Sequence, residues 1–492
     1  MKILLVYPET PLTFWSFRNA LKFISKKSSE PPLGILTVAA LLPDHWEKKL
    51  IDMNVSTLKD EHLNWADYVF ISGMNVHSES INEVIKRCNA IGTKVVAGGP
   101  VFTFDHQEFS GVDHFILNEA EITLPLFLKD LEEGCPKPMY TSDIFPDIEN
   151  TPVPQWDLLE HRKYASLSIQ YSRGCPYNCE FCTITQLNGR KPRTKSKEQF
   201  ISELETLYNY GWQGSLFIVD DNFIGNKVKL KREILPALIE WSKARNYPFL
   251  FYTEVSINLA DDEELANLMV EAGFHMTFIG IETTNPMSLE ECGKSQNLNR
   301  DLVTSVKKLQ NIGLQVSAGF IVGFDNDPPH IFEQMIQFIQ KSGIVTAMVG
   351  LLDAPSGTRL FKRLKSENRL LKISNGNNTD GTMNFIPKMD PQKLLKGYQD
   401  IVKTIYSQKE YYERMKIFLR EYRAPLNKSV RIKFQDILAL FRSLWVLGVR
   451  EKGKQFYWKL IFFTLLKYPR KFGLSVTMAI YGYHFRKIAE TI

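Results

Sequence analysis

The sequence predicts an α/β protein made of two parallel-sheet modules followed by a mostly helical end. Three observations carry this. From residue 2 to 134, short apolar runs alternate with amphipathic helices, the pattern of a doubly wound, Rossmann-like sheet. From 166 to 352 the alternation resumes as six βα units, enough for a partial (β/α)6 barrel of the TIM type. From about residue 375 the strand pattern stops and long helical stretches take over. A length of 492 residues suits about three domains. The expected division is 1–140, a linker at 141–162, 163–372 and 373–492.

In the first module, Lys2–Tyr7 (KILLVY) is a continuous apolar run closed by Pro8, as in a strand buried on both faces. Residues 31–43 read as a helix with proline at its start and its stop. Strands are expected at 49–52, at Tyr68–Ser72 before Gly73, at 94–97 before Gly98-Gly99-Pro100, and at 115–117. Helices at 81–91 and 123–133 complete the alternation. Ligands of such sheets lie beyond the carboxyl ends of the strands, and glycine there lets a large ligand approach the backbone. Taken alone, glycine after a strand is as often a plain turn. Residues 135–160 are rich in Pro, Asp and Glu without periodicity and read as a linker.

In the second module, the strand 166–171 delivers a cysteine-rich loop. The strand 215–219 ends at Asp220-Asp221-Asn222, Phe249–Val255 contains Glu254, 276–281 ends at Glu282, and 316–322 and 344–352 follow. Helices at 197–210, 229–245, 262–272, Leu302–Ile312 and Ile331–Ser342 alternate with them; the third opens with acids, as its dipole favours. Function in barrels gathers at the carboxyl ends of strands. The cysteines, Asp220, Asp221, Glu254, Glu282 and Asp325 fall there. Any single carboxylate could equally be a helix cap; the shared position raises the functional reading.

The apolar fraction of 44% and aromatic fraction of 12% are those of a globular chain with real cores. MKILLVYP is not a signal peptide, because its apolar run is short and stopped by Pro8 and Glu9. No uncharged apolar run reaches the length of a membrane span. The net charge of +5 is uneven: from Tyr411 onward there are 17 Lys or Arg against 5 Asp or Glu. A basic end on an acidic body points to an anionic partner or to a solvated face. The run 456–466 (FYWKLIFFTLL), beside Lys467, Arg470 and Lys471, could lie in a membrane interface or pack as a basic-edged helix on the barrel.

Cys175, Cys179 and Cys182 stand at C-x-x-x-C-x-x-C spacing, close enough to close on one metal centre with a short loop. A 4Fe–4S cluster held by three cysteines keeps one iron open for a ligand. Zinc sites prefer paired C-x-x-C ligands, and six cysteines in the chain are too sparse for a disulfide framework. Cys88 and Cys292 read as buried fillers. A cluster and free thiols imply a cytoplasmic protein.

The stretch RGCPYNCEFC, with Phe181 before the last cysteine, resembles the radical S-adenosylmethionine (radical SAM) superfamily. The resemblance implies Cys175, Cys179 and Cys182 as cluster ligands and Phe181 beside the adenine. DDNF at 220–223 is similar to the motif that contacts the amino group, implying Asp220 and Asp221. Glu254 in FYTEVS resembles the ribose contact. GFIVGFDND is similar to the G-x-I-x-G motif behind the adenine, implying Gly319 and Gly323. LLDAPSGT resembles the terminal P-G-T loop, with Ser356 inserted.

Placed before such a core, the first module resembles the cobalamin-binding domain of the cobalamin-dependent radical SAM family. The matching elements are PPLGIL, Asp52 ending a strand, Ser72-Gly73 and AGGP at 97–100, which implies cobalamin contacts at Leu33, Asp52, Ser72, Gly73, Gly98 and Gly99. In NEAEITLPLFLKDLEEG the family commonly has Gly where Asn118 and Ala120 stand. Asp60 and His62 match only part of D-x-H-x-x-G, since Trp65 replaces the Gly, and read as surface residues. His77 could approach the corrin, but a lone histidine is more often structural. Cobalt is then expected without a protein histidine below it. The C-terminal region resembles that of a subgroup including hopanoid C-2 methylases.

The implied activity is methylation of an unactivated carbon of a lipid or natural product, using a 5′-deoxyadenosyl radical and methylcobalamin. The implied cofactors are a 4Fe–4S cluster, S-adenosylmethionine and cobalamin. The implied partners are a small-molecule or lipid substrate and an electron donor such as flavodoxin or ferredoxin, with no nucleic acid and a peripheral membrane contact left open. Three alternatives stay open: a non-methylating oxidative cyclase or ring-rearranging enzyme, a methylthiolating enzyme, and a non-catalytic cofactor sensor. Methylthiolation ranks low, because only Cys88 and Cys135 precede the motif. The motifs do not single out catalytic side chains.

Overall fold

The computed structural model describes residues 1–424 and 433–492. Lys428 and Arg431, two of the basic residues counted above, lie outside the described residues. The first sheet holds β1 (Lys2–Tyr7), β2 (Glu47–Asp52), β3 (Tyr68–Ser72), β4 (Lys94–Gly98), β5 (His114–Ile116) and β6 (Met139–Tyr140). Its strands are parallel, in the order β2-β1-β3-β4-β5-β6. Helices cover both faces, which is why β1 and β3 are apolar throughout. Ile81, Val84 and Ile85 of Ser78–Ile91 pack on Leu4, Val6, Val69 and Ile71. Ile35 and Ala39 of Leu33–Leu41 and Phe127 of Ala120–Glu132 pack on Ile3, Leu5 and Phe70. The order reverses at β1, so the crevice opens at the carboxyl ends of β1 and β3.

Two local features differ from expectation. β6 lies inside the stretch read as linker, and Ile148, Trp156 and Leu159 beyond it are buried, so the crossing is packed down. Asn118 takes a left-handed φ of 61°, a conformation asparagine tolerates better than other side chains, which is how it stands where glycine is usual.

The second sheet joins β7 (Ser166–Ile169), β10 (Gly214–Ile218), β11 (Phe249–Val255), β12 (Phe274–Glu282), β13 (Gln315–Val322) and β14 (Ala347–Leu351). The six parallel strands run in the order β14-β13-β12-β11-β10-β7, an open half-barrel with helices outside. Between β7 and β10, β8 (Ser172–Arg173) pairs antiparallel with β9 (Arg193–Thr194). The expected strand 166–171 therefore breaks after Ile169 and turns the chain into the cysteine loop. Both barrel edges are covered. Ala165 and Ser166 donate backbone bonds to Ser28 and Ser29 at 3.0 and 2.8 Å. Tyr406 Oη donates to the Ala347 carbonyl of β14 at 2.6 Å. The helix expected at 229–245 carries a π turn at Leu230–Ile234 just before Pro236, whose ring and missing N–H disturb the preceding turn.

The helices Pro391–Ile405, Gln408–Glu421, Phe434–Trp445, Lys454–Lys467 and Phe472–Ala489 form the C-terminal region. Arg414 is fully buried there between Tyr406 and Tyr411, with its guanidinium donating to the Ile405 and Val345 carbonyls at 2.9 and 3.3 Å. The last helix returns to the chain start, where His484 bonds the Phe14 carbonyl at 3.0 Å.

Candidate functional site

Residues at and beyond the carboxyl ends of the first sheet pack against the barrel. Tyr164, just before β7, donates to Asp52 at the end of β2 at 2.8 Å. Arg173 at the end of β8 donates to Glu119, beyond β5, at 2.6 Å and to Glu121 at 2.7 Å. Arg193 of β9 donates to the other Glu119 oxygen at 2.6 Å. A methylene added at Gly357, after β14, would stand 2.4 Å from the Phe104 ring.

The cysteine loop starts at Gly174, φ 96°, where a Cβ would lie 2.9–3.0 Å from the carbonyls of Asn188, Gly189 and Lys191. Only glycine fits this turn. Asp221 accepts from the Gly174 N–H and from Asn188, both at 2.9 Å. Asp220, fully enclosed, accepts from the Tyr171 N–H at 2.8 Å and Ser172 Oγ at 2.5 Å. Burial pushes the Asp220 carboxyl up to about 7. Both carboxylates thus engage the backbone that leads into the cysteines.

Burial raises all three thiols, Cys182 to about 12; Cys175 also senses Cys179, and Cys182 senses both of the others. Among the described residues no three His, Cys, Asp or Glu side chains converge tightly enough for a single ion.

Around the thiols the structure adds Lys294, which the sequence did not single out, to Glu282 and Asn222. Lys294 donates to Glu282 at 2.6 Å. Burial opposes the Lys294 charge, but Glu282 and the Cys179 thiol outweigh it and hold the pKa above the usual lysine range. Glu282 is buried in a left-handed conformation, φ 64°, uncommon for a non-glycine residue and typical of functional sites. Asn222 Nδ2 lies 3.9 Å from Cys175 Sγ and 3.3 Å from Ser256 Oγ. Asn222 sits inside DDNF, so the motif pointed at it; Lys294 is a lone lysine in a loop, without any pattern to find it by.

Glu254 on β11 has no hydrogen bond or ion pair among the described residues, and burial pushes its carboxyl up to about 8. Gly319 on β13 lies flat against Phe278, where a Cβ would stand 3.3 Å from the ring. Gly323 turns the chain, and Asp327 accepts its N–H at 2.8 Å. Phe181 packs toward Phe324 in this turn, with ring centroids 6.3 Å apart. Asp325 is instead paired with Arg363 and Arg369 at 3.0 and 2.6 Å. The half-barrel interior carries Phe217 stacked on Tyr252 at 4.8 Å, and Trp15 lies 4.9 Å from Phe278. Tyr252 donates to Glu30 at 2.6 Å, so the N-terminal segment reaches over this mouth.

On the opposite side, Ser72-Gly73 and Gly98-Gly99 are neighbours in register. At Gly99, φ 96°, a Cβ would lie 2.6 Å from Ser72 Oγ, and at Gly98 2.7 Å from the Ile116 carbonyl. Both glycines are thus needed for close packing at the carboxyl ends of β3 and β4, a glycine ledge where ligands of such sheets lie. Leu33 opens the helix Leu33–Leu41 and is half-buried. Asp52 also accepts from Asn54 N and Nδ2 at 2.9 and 2.8 Å. His77 is buried with both nitrogens engaged: Nδ1 accepts from the Met74 N–H at 3.0 Å and Nε2 meets Thr10 Oγ1 at 3.0 Å. His62 Nδ1 accepts from the Lys59 N–H at 3.1 Å, and Asp60 pairs with Arg87 at 2.6 Å.

Comparison with known proteins agrees with this arrangement. Residues 23–128 match the B12 binding domain, 169–339 the radical SAM superfamily, and 358–492 a domain of unknown function. An uncharacterized methyltransferase of Synechocystis sp. is 41% identical over 100% of this chain and 92% of its own length. The hopanoid C-2 methylase of Rhodopseudomonas palustris is 31% identical over 93% of this chain and 88% of its own length. The cobalamin-dependent radical enzyme OxsB, solved with aqua-cobalamin, shares the fold with a TM-score of 0.64 at 15% identity, covering 100% of this chain and 79% of OxsB. The methyltransferase TsrM of Kitasatospora setae, solved with cobalamin and a [4Fe-4S] cluster, shares it with a TM-score of 0.62 at 13% identity over 99% of each chain.

Proposed function

Because the chain belongs to the cobalamin-dependent radical SAM family, we propose that it is a C-methyltransferase acting on an unactivated carbon of a lipid or another apolar natural product. The observation that supports this reading is the Arg173–Glu119 pair, which ties the cysteine loop to the module matching the B12 binding domain. When bound, the cluster supplies the electron that cleaves S-adenosylmethionine, and cobalamin supplies the methyl group.

The chain's own residues then have distinct tasks. Cys175, Cys179 and Cys182 hold the cluster, and Gly174, Asp220 and Asp221 fix the loop that presents them. Lys294, oriented by Glu282, offsets the negative charge that three thiolates gather in a site shielded from water. Glu254 is free to meet ribose hydroxyls, while Gly319, Gly323 and Phe181 leave a flat place for an adenine. Leu33, Asp52, Ser72, Gly73, Gly98 and Gly99 line the cobalamin face. The Arg173–Glu119–Arg193 network keeps the two halves in register. Phe217, Tyr252, Phe278 and Trp15 give the barrel mouth an aromatic lining suited to an apolar substrate. An electron donor such as flavodoxin or ferredoxin completes the system.

The test is anaerobic turnover of the loaded protein with methyl-deuterated S-adenosylmethionine and candidate polycyclic lipids. The expected product gains a deuterated methyl group, with 5′-deoxyadenosine formed alongside. A product of altered skeleton without added methyl would favour the rearranging chemistry. Binding of both cofactors without any 5′-deoxyadenosine would reduce the chain to a sensor.

A further inference from the structure

We propose that the C-terminal region docks on an anionic phospholipid membrane. The docking face lies on Phe434–Trp445, continues through the turn Val446–Arg450 and ends on Lys454–Lys467. Phe434, Ile437, Phe441, Trp445 and Val449 recur at steps of three and four residues, so they share one helix face. All five are exposed, Phe434 at 75%, Phe441 at 65% and Trp445 at 60%. The opposite face, with Ala439, Ser443 and Leu447, is buried. Trp458 joins the two helices: its Nε1 donates to the Gly448 carbonyl at 2.9 Å, and its ring lies 5.9 Å from Phe462. Phe462, Leu465 and Leu466 extend the exposed surface, Leu466 at 82%.

Single exposed apolar residues are ordinary, but a continuous stripe of large ones marks an interaction surface. The rim selects the partner. Residues 433–471 carry nine Lys or Arg against two acids, and Arg450, Lys452, Lys454, Lys459, Lys467 and Arg470 are exposed. Large apolar side chains with tryptophan, edged by lysine and arginine, match the interface of an anionic bilayer. No described helix is long and apolar enough to cross a membrane, so the contact is in the plane of the surface.

This corrects the place expected for such a contact. In the run 456–466, Tyr457, Leu460 and Ile461 face the protein core, and most of the exposed apolar area belongs to the preceding helix instead. That helix is tied to the N-terminal segment, and at its start Lys433 donates to the Gln213 carbonyl just before β10. Arg442 donates to the Lys22 and Phe23 carbonyls at 2.9 and 3.0 Å and to Ser25 Oγ at 2.7 Å, in the segment that continues to Glu30. The proposal stands apart from the cofactor assignments and is tested without turnover.

The full chain is sedimented with phosphatidylcholine vesicles, with or without phosphatidylglycerol, at low and high salt. Binding to the anionic vesicles at low salt is expected to exceed binding to neutral ones by roughly tenfold and to fall with salt. Phe441→Glu with Trp445→Glu is expected to weaken it by about tenfold at unchanged melting temperature, since both side chains are exposed. Lys452→Gln with Lys454→Gln and Lys459→Gln should flatten the salt dependence. No binding by the parent at low salt overturns the proposal, as does undiminished binding by the glutamate variant. A parent that is dimeric by light scattering, becomes monomeric in the glutamate variant and ignores vesicles would assign the face to a second copy instead.

Discussion

Arg173 and Glu119 form an ion pair of 2.6 Å across the seam between the two sheets, with side chains only 13% and 8% exposed. The same guanidinium reaches Glu121 at 2.7 Å, and Glu119 also takes Arg193 at 2.6 Å. Since Arg173 precedes Gly174 and Cys175, the placement of the first module is linked directly to the cysteine loop. Removing one partner of a buried pair leaves an uncompensated charge, which costs about 3–5 kcal/mol. Arg173→Met should therefore destabilise strongly, and adding Glu119→Gln should cost less than the two single changes combined. Denaturant unfolding of all four proteins closes the cycle; strictly additive costs would mean the pair does not couple the modules.

Asp220 and Asp221 were expected as contacts to the amino group of S-adenosylmethionine. Both hydrogen-bond to the loop, through Tyr171, Ser172, Gly174 and Asn188, and we propose that they position it. Asp221→Ala should lower the iron incorporated on anaerobic reconstitution. Glu254→Gln should leave iron content unchanged and weaken S-adenosylmethionine by roughly tenfold, the scale of one hydrogen bond to a charged group. Equal iron loading in both variants would return Asp221 to the ligand side.

Much of the fold was legible because period and punctuation agreed. Phe249–Val255, Leu302–Ile312 and Ile331–Ser342 begin and end as read, each bounded by a turn or cap. The break after Ile169 was not legible, since the residues that follow are held by Asp220, distant in sequence. Lys294 and the Arg173–Glu119 pair were hidden for the same reason: their meaning lies in a partner that only the fold brings near. At 456–466 a helix with aromatics on every side does not declare which of them face inward; the structure buries Tyr457, Leu460 and Ile461.

Glu254 also makes a pH prediction. Burial raises its carboxyl from 4.5 to about 8, so between these values the folded chain keeps a proton that the unfolded chain has released. Stability in the absence of cofactors must then fall as pH rises through this window. At about 1.4 kcal/mol per unit, reduced by the water still reaching a half-buried site, the loss by pH 8 should be about 2–3 kcal/mol. Glu254→Gln should lack it. Urea melts of the two proteins from acid to mildly alkaline pH decide this, and curves that stay parallel across the window would refute it.

His77 is the histidine nearest the ledge in sequence, and it is already committed. Met74 and Thr10 occupy its two nitrogens, and burial holds its pKa down at about 4. Bound cob(II)alamin should accordingly show no nitrogen hyperfine splitting from a protein ligand in its electron paramagnetic resonance spectrum. Splitting that disappears in His77→Ala would show that the ring leaves its two partners to reach cobalt.

Cys292 bears on whether one iron stays open. The fold brings it near the motif: its carbonyl accepts the Glu180 N–H at 2.8 Å, and its thiol senses Cys179. A fourth thiolate there would close the cluster and leave no place for S-adenosylmethionine. Yet Cys292 Sγ donates to the Leu289 carbonyl at 3.6 Å and lies in an apolar cluster with Phe324, Leu352 and Leu360. That bond and the apolar packing, rather than its acidity, set Cys292 apart from the three thiols of the loop. Cys292→Ala should keep full iron content and an unchanged visible spectrum, as should Cys88→Ala and Cys135→Ala, whereas alanine at Cys175, Cys179 or Cys182 should abolish both. Adding S-adenosylmethionine should shift the reduced cluster's paramagnetic resonance signal equally in parent and Cys292→Ala, because the iron it reaches is open in each. A shift that appears only after Cys292 is removed would mean that this thiol occupies the fourth iron, and the open-site reading would have to be abandoned.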